Sequence, residues 1–99
     1  MAERKLIWSK NAVVQLHKIL MYYKHRNKSN SYSTKLYNRL NTELNKLLLH
    51  PEIGIKTKFE QIRGIIVGKY VIFYEITDKH ITILKIWDSR QNPNKLTFK

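Results

Sequence analysis

The sequence predicts an α+β fold, a small antiparallel sheet packed on an N-terminal helical hairpin in the order β-α-α-β-β-β. Three observations carry this. Apolar residues recur at helical spacing over two stretches in the first half of the chain. His50-Pro51 closes the second stretch, because the residue before a proline disfavours the α region. After it, residues 62–87 hold apolar runs broken at Gly68-Lys69 and at Thr77-Asp78-Lys79-His80, the pattern of adjacent antiparallel strands.

Lys5-Leu6-Ile7-Trp8 is a short apolar run and reads as a strand. Ser9 follows as a helix N-cap, since its hydroxyl can accept a bond from an orphan N–H of the first turn. Val13, Leu16, Leu20 and Tyr23, with Ile19 beside them, then mark a helix to about Lys24. The polar segment from His25 to Ser31 is the expected turn. Ser31 or Ser33 caps a second helix striped by Leu36, Leu40, Leu44 and Leu47, with Tyr37 and Leu48 on its flank. Two such helices cover one face of a sheet.

Glu52 to Gln61 reads as an irregular or edge segment, and Ile62 to Val67 as a strand. Tyr70 to Ile76 is a strand with Ile72, Tyr74 and Ile76 on one face and Val71, Phe73 and Glu75 on the other. The last strand, Ile81 to Trp87, divides by strict alternation into Ile81/Ile83/Trp87 and Thr82/Leu84/Ile86, two largely apolar faces. One packs on the helices; the other is covered locally or waits for a partner. The three glycines, Gly54, Gly64 and Gly68, are expected at turns or bulges. The whole chain, 1–99, reads as one domain.

Composition narrows the function. Nineteen Lys and Arg against seven Asp and Glu give a formal charge of +12, spread along the chain. Such a field favours polyanions or an acidic protein partner. No apolar run reaches the roughly 20 residues a membrane helix needs. Met1-Ala2-Glu3-Arg4-Lys5 leads straight into the first strand and is not a signal-peptide core. With no cysteine in the chain, the expected location is the cytoplasm. His17, His25, His50 and His80 lack metal-ligand spacing, so neither a metal nor another cofactor is expected.

What remains is basic and polar. Arg63, Lys69, Lys85 and Arg90 lie on or near the strands, Lys56 and Lys58 on the approach, and Asp88 two residues before Arg90. Arginine suits bidentate phosphate contact, and a ring of such cations stabilises a phosphorane-like transition state. The structural alternatives are an Asp88–Arg90 ion pair that fixes the last turn and a solvated basic face for the lysines. Tyr70 and Tyr74 read as packing residues.

The sequence resembles the RelE/ParE superfamily of toxins from bacterial type II toxin–antitoxin systems, a group that includes plasmid stabilization proteins. The resemblance rests on Ile7-Trp8-Ser9, Ala12, Leu16 and Ile19, then on His50-Pro51, Gly54 and Ile62-Arg63. It continues through Val67-Gly68-Lys69-Tyr70, Phe73 to Ile76, Ile81 to Leu84 and Asp88 to Pro93. It implies a twisted antiparallel sheet on a helical hairpin and a cognate acidic antitoxin that wraps the toxin, in a possible hetero-oligomer. The ribonuclease branch of the family cuts mRNA on the ribosome with strand arginines and lysines plus a C-terminal Tyr or His. On that reading Arg63 and Arg90 are the catalytic candidates, and Lys56 and Lys58 stand near the substrate-binding lysines. The arginine expected after the central-strand tyrosine is here Val71, with Arg63 as its substitute from the next strand. The C-terminal Tyr or His has no counterpart in Asn94-Lys95-Leu96-Thr97-Phe98-Lys99. These departures favour the ParE-like branch, which inhibits DNA gyrase through a protein contact, over an enzyme. Lys56, Lys58, Lys69, Lys85, Asp88 and Arg90 are then target-binding candidates. A degenerate toxin or a plain basic binding module is the third reading.

Overall fold

A computed structural model describes residues 4–27 and 31–91. The order is β1 (Lys5–Trp8), α1 (Lys10–Asn27), α2 (Ser31–Leu49), a 3-10 turn at Pro51–Ile53, β2 (Ile55–Lys56), β3 (Ile62–Val67), β4 (Tyr70–Ile76) and β5 (His80–Asp88). The predicted α+β hairpin-on-sheet architecture is present, with β2 as a two-residue edge. The strands form one sheet in the order β1-β5-β4-β3-β2. It is mixed and not wholly antiparallel, because β1 runs parallel to β5. The helical hairpin and then the three antiparallel strands β2, β3 and β4 separate the pair, and the odd number of strands starts β5 at the end where β1 starts, as a parallel pairing requires.

Ser9 starts α1 as expected. Its Oγ accepts from Ala12 N at 3.1 Å and donates to the Leu84 carbonyl at 3.1 Å, so one hydroxyl caps the helix and pins it to β5. The buried stripe of α1 differs by one position from the sequence reading. Ala12 is buried and Val13 is 50% exposed, so the stripe runs Ala12, Leu16, Ile19/Leu20 and Tyr23. Helix α1 continues through the polar residues His25, Arg26 and Asn27, where the turn was expected to begin. Cationic side chains in its last turn complement the helix dipole. In α2, Leu36, Leu40, Leu44 and Leu47 are all buried as the stripe predicted. Ser33 does not cap this helix; it lies within the first turn and donates to the Leu20 carbonyl at 2.7 Å, joining the two helices.

The helices pack on Ile65, Val67, Tyr70, Ile72, Tyr74, Ile81, Ile83 and Ile86. The two faces predicted for β4 are observed, but those of β5 are not. Phe73 pairs with Lys85 while Tyr74 pairs with Ile83, which leaves Leu84 as an extra residue in β5. This bulge inverts the alternation beyond it. Ile86 therefore joins Ile81 and Ile83 in the core, and Trp87 turns to the opposite face with Thr82 and Lys85. Gly64 is not the bulge: it sits in a regular ladder, where a Cβ would come within 3.0 Å of Val71 and 3.2 Å of Phe73. Gly68 is the turn glycine, with φ of +61° in the two-residue connection between Val67 and Tyr70.

The face away from the helices is largely apolar and partly bare. Ile55 is 63% and Ile66 62% exposed, with Ile7 beside Thr82 at the other edge of the sheet.

Tyr74 is fully buried, and its hydroxyl reaches past the sheet to the chain that leaves α2. It donates to the Pro51 carbonyl at 2.7 Å and accepts from Gly54 N at 3.0 Å. A Cβ at position 54 would collide with that hydroxyl. Tyr74→Phe strands the buried Gly54 N–H and is expected to cost about 1–3 kcal/mol. Gly54→Ala is expected to cost at least as much, through displacement of the phenol. Urea unfolding of both variants checks this; a neutral Tyr74→Phe would show that the hydroxyl anchors nothing.

Candidate functional site

The polar side chains singled out in the sequence fall into separate places. Arg63 lies opposite Tyr74 on β3, with Lys56 opposite it on β2. Its Nη1 donates to the Glu52 and Gly54 carbonyls at 3.1 and 3.0 Å, so the guanidinium is engaged in holding the 51–54 turn. Lys58 stands over the Phe59 ring at 5.4 Å. Lys85 stands over Trp87 at 5.8 Å, on the face away from the helices.

Lys69, Asp88 and Arg90 gather at the opposite end of the sheet. Asp88 pairs with Tyr70, four residues along β4 from Tyr74. At the usual strand rise that places the two groups about 13 Å apart. Arg63 and Arg90, the two catalytic candidates, are therefore not brought together. The C-terminal segment 94–99, where a general acid was sought, lies outside the described residues.

At the Lys69 end the alternative reading of Asp88 and Arg90 as an ion pair is realised. Arg90 Nη2 and Nε donate to the two carboxylate oxygens at 2.8 and 3.1 Å, and Arg90 N donates to Oδ1 at 2.9 Å. The arginine side chain, and then its backbone N–H, hold the Asp88 carboxyl down at about 2. Ser89 N donates to the Lys69 carbonyl at 2.9 Å, which fixes this corner to the β3–β4 turn.

Three tyrosines that the sequence reading left as packing or unassigned converge here from three elements. Tyr23 comes from the end of α1, Tyr32 from the start of α2 and Tyr70 from β4. The Tyr70 hydroxyl lies 3.2 Å from that of Tyr23, which also accepts from Lys69 Nζ at 3.4 Å. Tyr23 packs edge-on against Tyr22 at 5.1 Å and tilted against Tyr32 at 4.5 Å. The hydroxyl pair splits the two phenols. The bond from Tyr70, with the Lys69 ammonium behind it, lowers the Tyr23 pKa; burial, and that same bond given away, push Tyr70 well above the tyrosine range. Nothing in the spacing of residues 23, 32 and 70 announces the cluster, because only the tertiary fold brings them together. Its one local trace is the doublet Tyr22-Tyr23 beside Arg26.

Next to the cluster, α1 and the end of β5 border a cleft of about 250 Å³ lined by Gln15, Lys18, Tyr70, Trp87, Asp88 and Gln91. Gln15 Oε1 accepts from Ile86 N at 2.9 Å, so a helix side chain satisfies the β5 backbone where β1 has ended. Among the described residues no three His, Asp or Glu side chains gather as metal ligands. No described helix is long and apolar enough to cross a membrane.

The chain is thus an α+β domain with a helical hairpin on one face of a short mixed sheet, an apolar opposite face and cations gathered at one end. The family described as "ParE toxin of type II toxin-antitoxin system, parDE" matches residues 6–93, and the chain belongs to that family. Among solved structures it is similar to a chain of the "Chromosomal ParDE TA system from P. aeruginosa", with a TM-score of 0.73 and 17% identity over 87% of this chain and 96% of that one. At that identity the likeness speaks for the fold. No curated protein matches the chain. The ParE-like branch expected from Val71 is the one the family match supports.

Two titrations test the site. In an absorbance titration of the phenolates, Tyr23 is expected to ionise below the ordinary tyrosine value of about 10 and Tyr70 far above it. Tyr70→Phe removes the main cause of the lowering and is expected to move Tyr23 upward; an unmoved Tyr23 would mean that the hydroxyl bond does not form. For Asp88 the folded value is depressed, so the ion pair's stabilisation is complete above the unfolded carboxylate value of about 4 and fades as pH falls toward 2. Carboxyl carbon shifts should show the Asp88 midpoint near 2, rising in Arg90→Ala.

Proposed function

We propose that this chain is the toxin of a toxin–antitoxin pair, that it arrests growth in the cytoplasm by binding DNA gyrase, and that a cognate acidic antitoxin neutralises it. The observation that carries this reading is the ParE family match over nearly the whole chain. Arrangement supports the protein-contact mechanism over mRNA cleavage. A metal-free ribonuclease needs its cations around one phosphate, whereas Arg63 is engaged with backbone carbonyls at one end and Arg90 lies at the other.

The antitoxin's seat is the bare sheet face, where Ile7, Ile55, Ile66 and Trp87 offer apolar surface and Lys85 and Lys58 add positive charge. An acidic segment with apolar anchors is complementary to that surface. Lys69, Asp88 and Arg90 form the target-facing corner.

Expression of the chain alone is expected to stop growth, and co-expression of the small acidic open reading frame beside it to restore growth. In arrested cells plasmid supercoiling should fall while primer extension shows intact mRNA. Cleaved mRNA with normal supercoiling would replace the gyrase reading with the ribonuclease one. Absence of arrest in a host with a compatible gyrase would leave a degenerate toxin or a basic binding module.

A further inference from the structure

We propose that the tyrosine-and-cation end of the molecule binds unpaired nucleotides of a single-stranded nucleic acid, Tyr22 and Tyr32 stacking on bases while Lys69, Arg26 and Arg90 receive the phosphates. This site is distinct from the bare sheet face, shares Lys69 and Arg90 with the target-facing corner proposed above, and does not require that gyrase be the target.

The argument starts from exposed aromatic rings. Tyr22 is 55% and Tyr32 38% exposed, although both are large and partly apolar. Each rests against the buried ring of Tyr23, at 5.1 and 4.5 Å between centroids, so each is braced from behind. A braced ring with an open surface is a stacking platform, and base stacking tolerates any base because every base has a π face.

The cations come next. Arg26 Nη1 donates to the Tyr22 hydroxyl at 3.4 Å, which keeps a guanidinium beside that ring. Lys69 Nζ sits 5.6 Å from the Tyr23 centroid. Arg39 reaches over the same turn, with a guanidinium nitrogen 3.7 Å from where a Gly68 Cβ would lie. Among the described residues none of these three cations has a carboxylate within 4.0 Å; the ion pairs are Lys46–Glu43 and Arg90–Asp88. Arg90 is the one cation of the group already paired, and its remaining N–H donors point elsewhere than Asp88.

The hydroxyl network supplies one more donor. The Tyr23 oxygen accepts from both Tyr70 and Lys69, so its own proton is left for an acceptor that no described residue provides. A phosphate oxygen is such an acceptor. An acidic peptide would meet the same cations, but it would leave the two exposed rings unused. Duplex nucleic acid would as well, since its bases are already stacked.

Fluorescence anisotropy with labelled dT12, rU12, a 12-base-pair duplex and unlabelled twelve-residue poly-glutamate tests this on the full chain, with thermal unfolding of each variant alongside. Tyr22→Ala and Tyr32→Ala are expected to weaken dT12 or rU12 binding by about 5–150-fold each at unchanged salt slope, because stacking is lost and charge is not. Tyr32→Phe keeps the ring and is expected to keep the affinity, which separates stacking from damage to the fold. Lys69→Gln should reduce the slope of log K against log salt by about 0.7, the loss of one phosphate contact on a single strand. Binding of either single strand above the duplex supports the site, and the stronger of the two identifies DNA or RNA. Full affinity in both Tyr→Ala variants would overturn the proposal. So would a loss in Lys10→Gln, at the far end of α1, equal to that in Lys69→Gln, since net charge alone would then explain binding. Equal binding of the duplex, or displacement of dT12 by poly-glutamate at equal charge, would overturn it too, the latter in favour of an acidic-peptide receptor.

Discussion

One extra residue in β5 decides where the functional candidates of the chain's last stretch, Lys85, Asp88 and Arg90, end up. With Leu84 inserted opposite the Phe73–Tyr74 step, the strand changes phase, and Ile86 and Asp88 turn toward the helices while Lys85 and Trp87 turn away. Under strict alternation Trp87 would face the core and Asp88 the bare sheet face. The bulge instead sets Asp88 opposite Tyr70, where Arg90 can fold back on its carboxylate and Tyr70 can meet Tyr23. It also delivers an indole and an ammonium to the face that the helices leave bare. Bulges re-aim side chains in this way at the price of one unpaired residue in the ladder. Here the Leu84 carbonyl on the bulge accepts from the Ser9 hydroxyl, which also caps α1.

The remaining constraint is the parallel crossover. Because β1 lies beside β5 and both helices intervene, the helical hairpin must cross the sheet on one face only. Ala12 is the most buried residue of α1, and its small side chain suits a helix seated on the sheet where Ser9 has pinned it. Tyr74 plays the matching role for the exit of α2, by holding the Pro51 carbonyl and the Gly54 N–H. Arg63 then reinforces that turn from the neighbouring strand.

How much of this was legible follows from the range of each signal. The leucine stripe of α2, the Ser9 cap, the Gly68 turn and the β4 faces all arise from spacing within a few residues, and all are found as read. The parallel partner of β1 was missed because pairing across 75 residues leaves no local trace. The β5 faces were misread because alternation assumes an unbroken ladder, and a bulge without a glycine is silent in sequence. Val13 reads as a member of the helix stripe from its hydrophobicity, whereas the folded helix gives the buried position to Ala12. Of the candidate site, the Asp88–Arg90 pair was visible as a two-residue spacing. Tyr23 was visible only as a member of an apolar stripe, since its hydroxyl partners come from residues 69 and 70.

The arrangement has a consequence for how such a protein is silenced. Trp87 faces the bare sheet surface, and the next residue, Asp88, belongs to the cationic corner, so the two surfaces meet at the end of β5. A partner that only covers Ile55, Ile66 and Trp87 hides apolar area, and leaves Lys69 and the exposed tyrosines free. A partner that neutralises the corner as well must bend around the β5 edge past Gln91, and there it needs acidic groups for the cations and not apolar anchors. The excess of +12 is distributed so that either partner is drawn in by the long-range field. Which surface it occupies is then decided by short-range chemistry: apolar burial on the sheet, and stacking with charge-assisted hydrogen bonds at the tyrosine end.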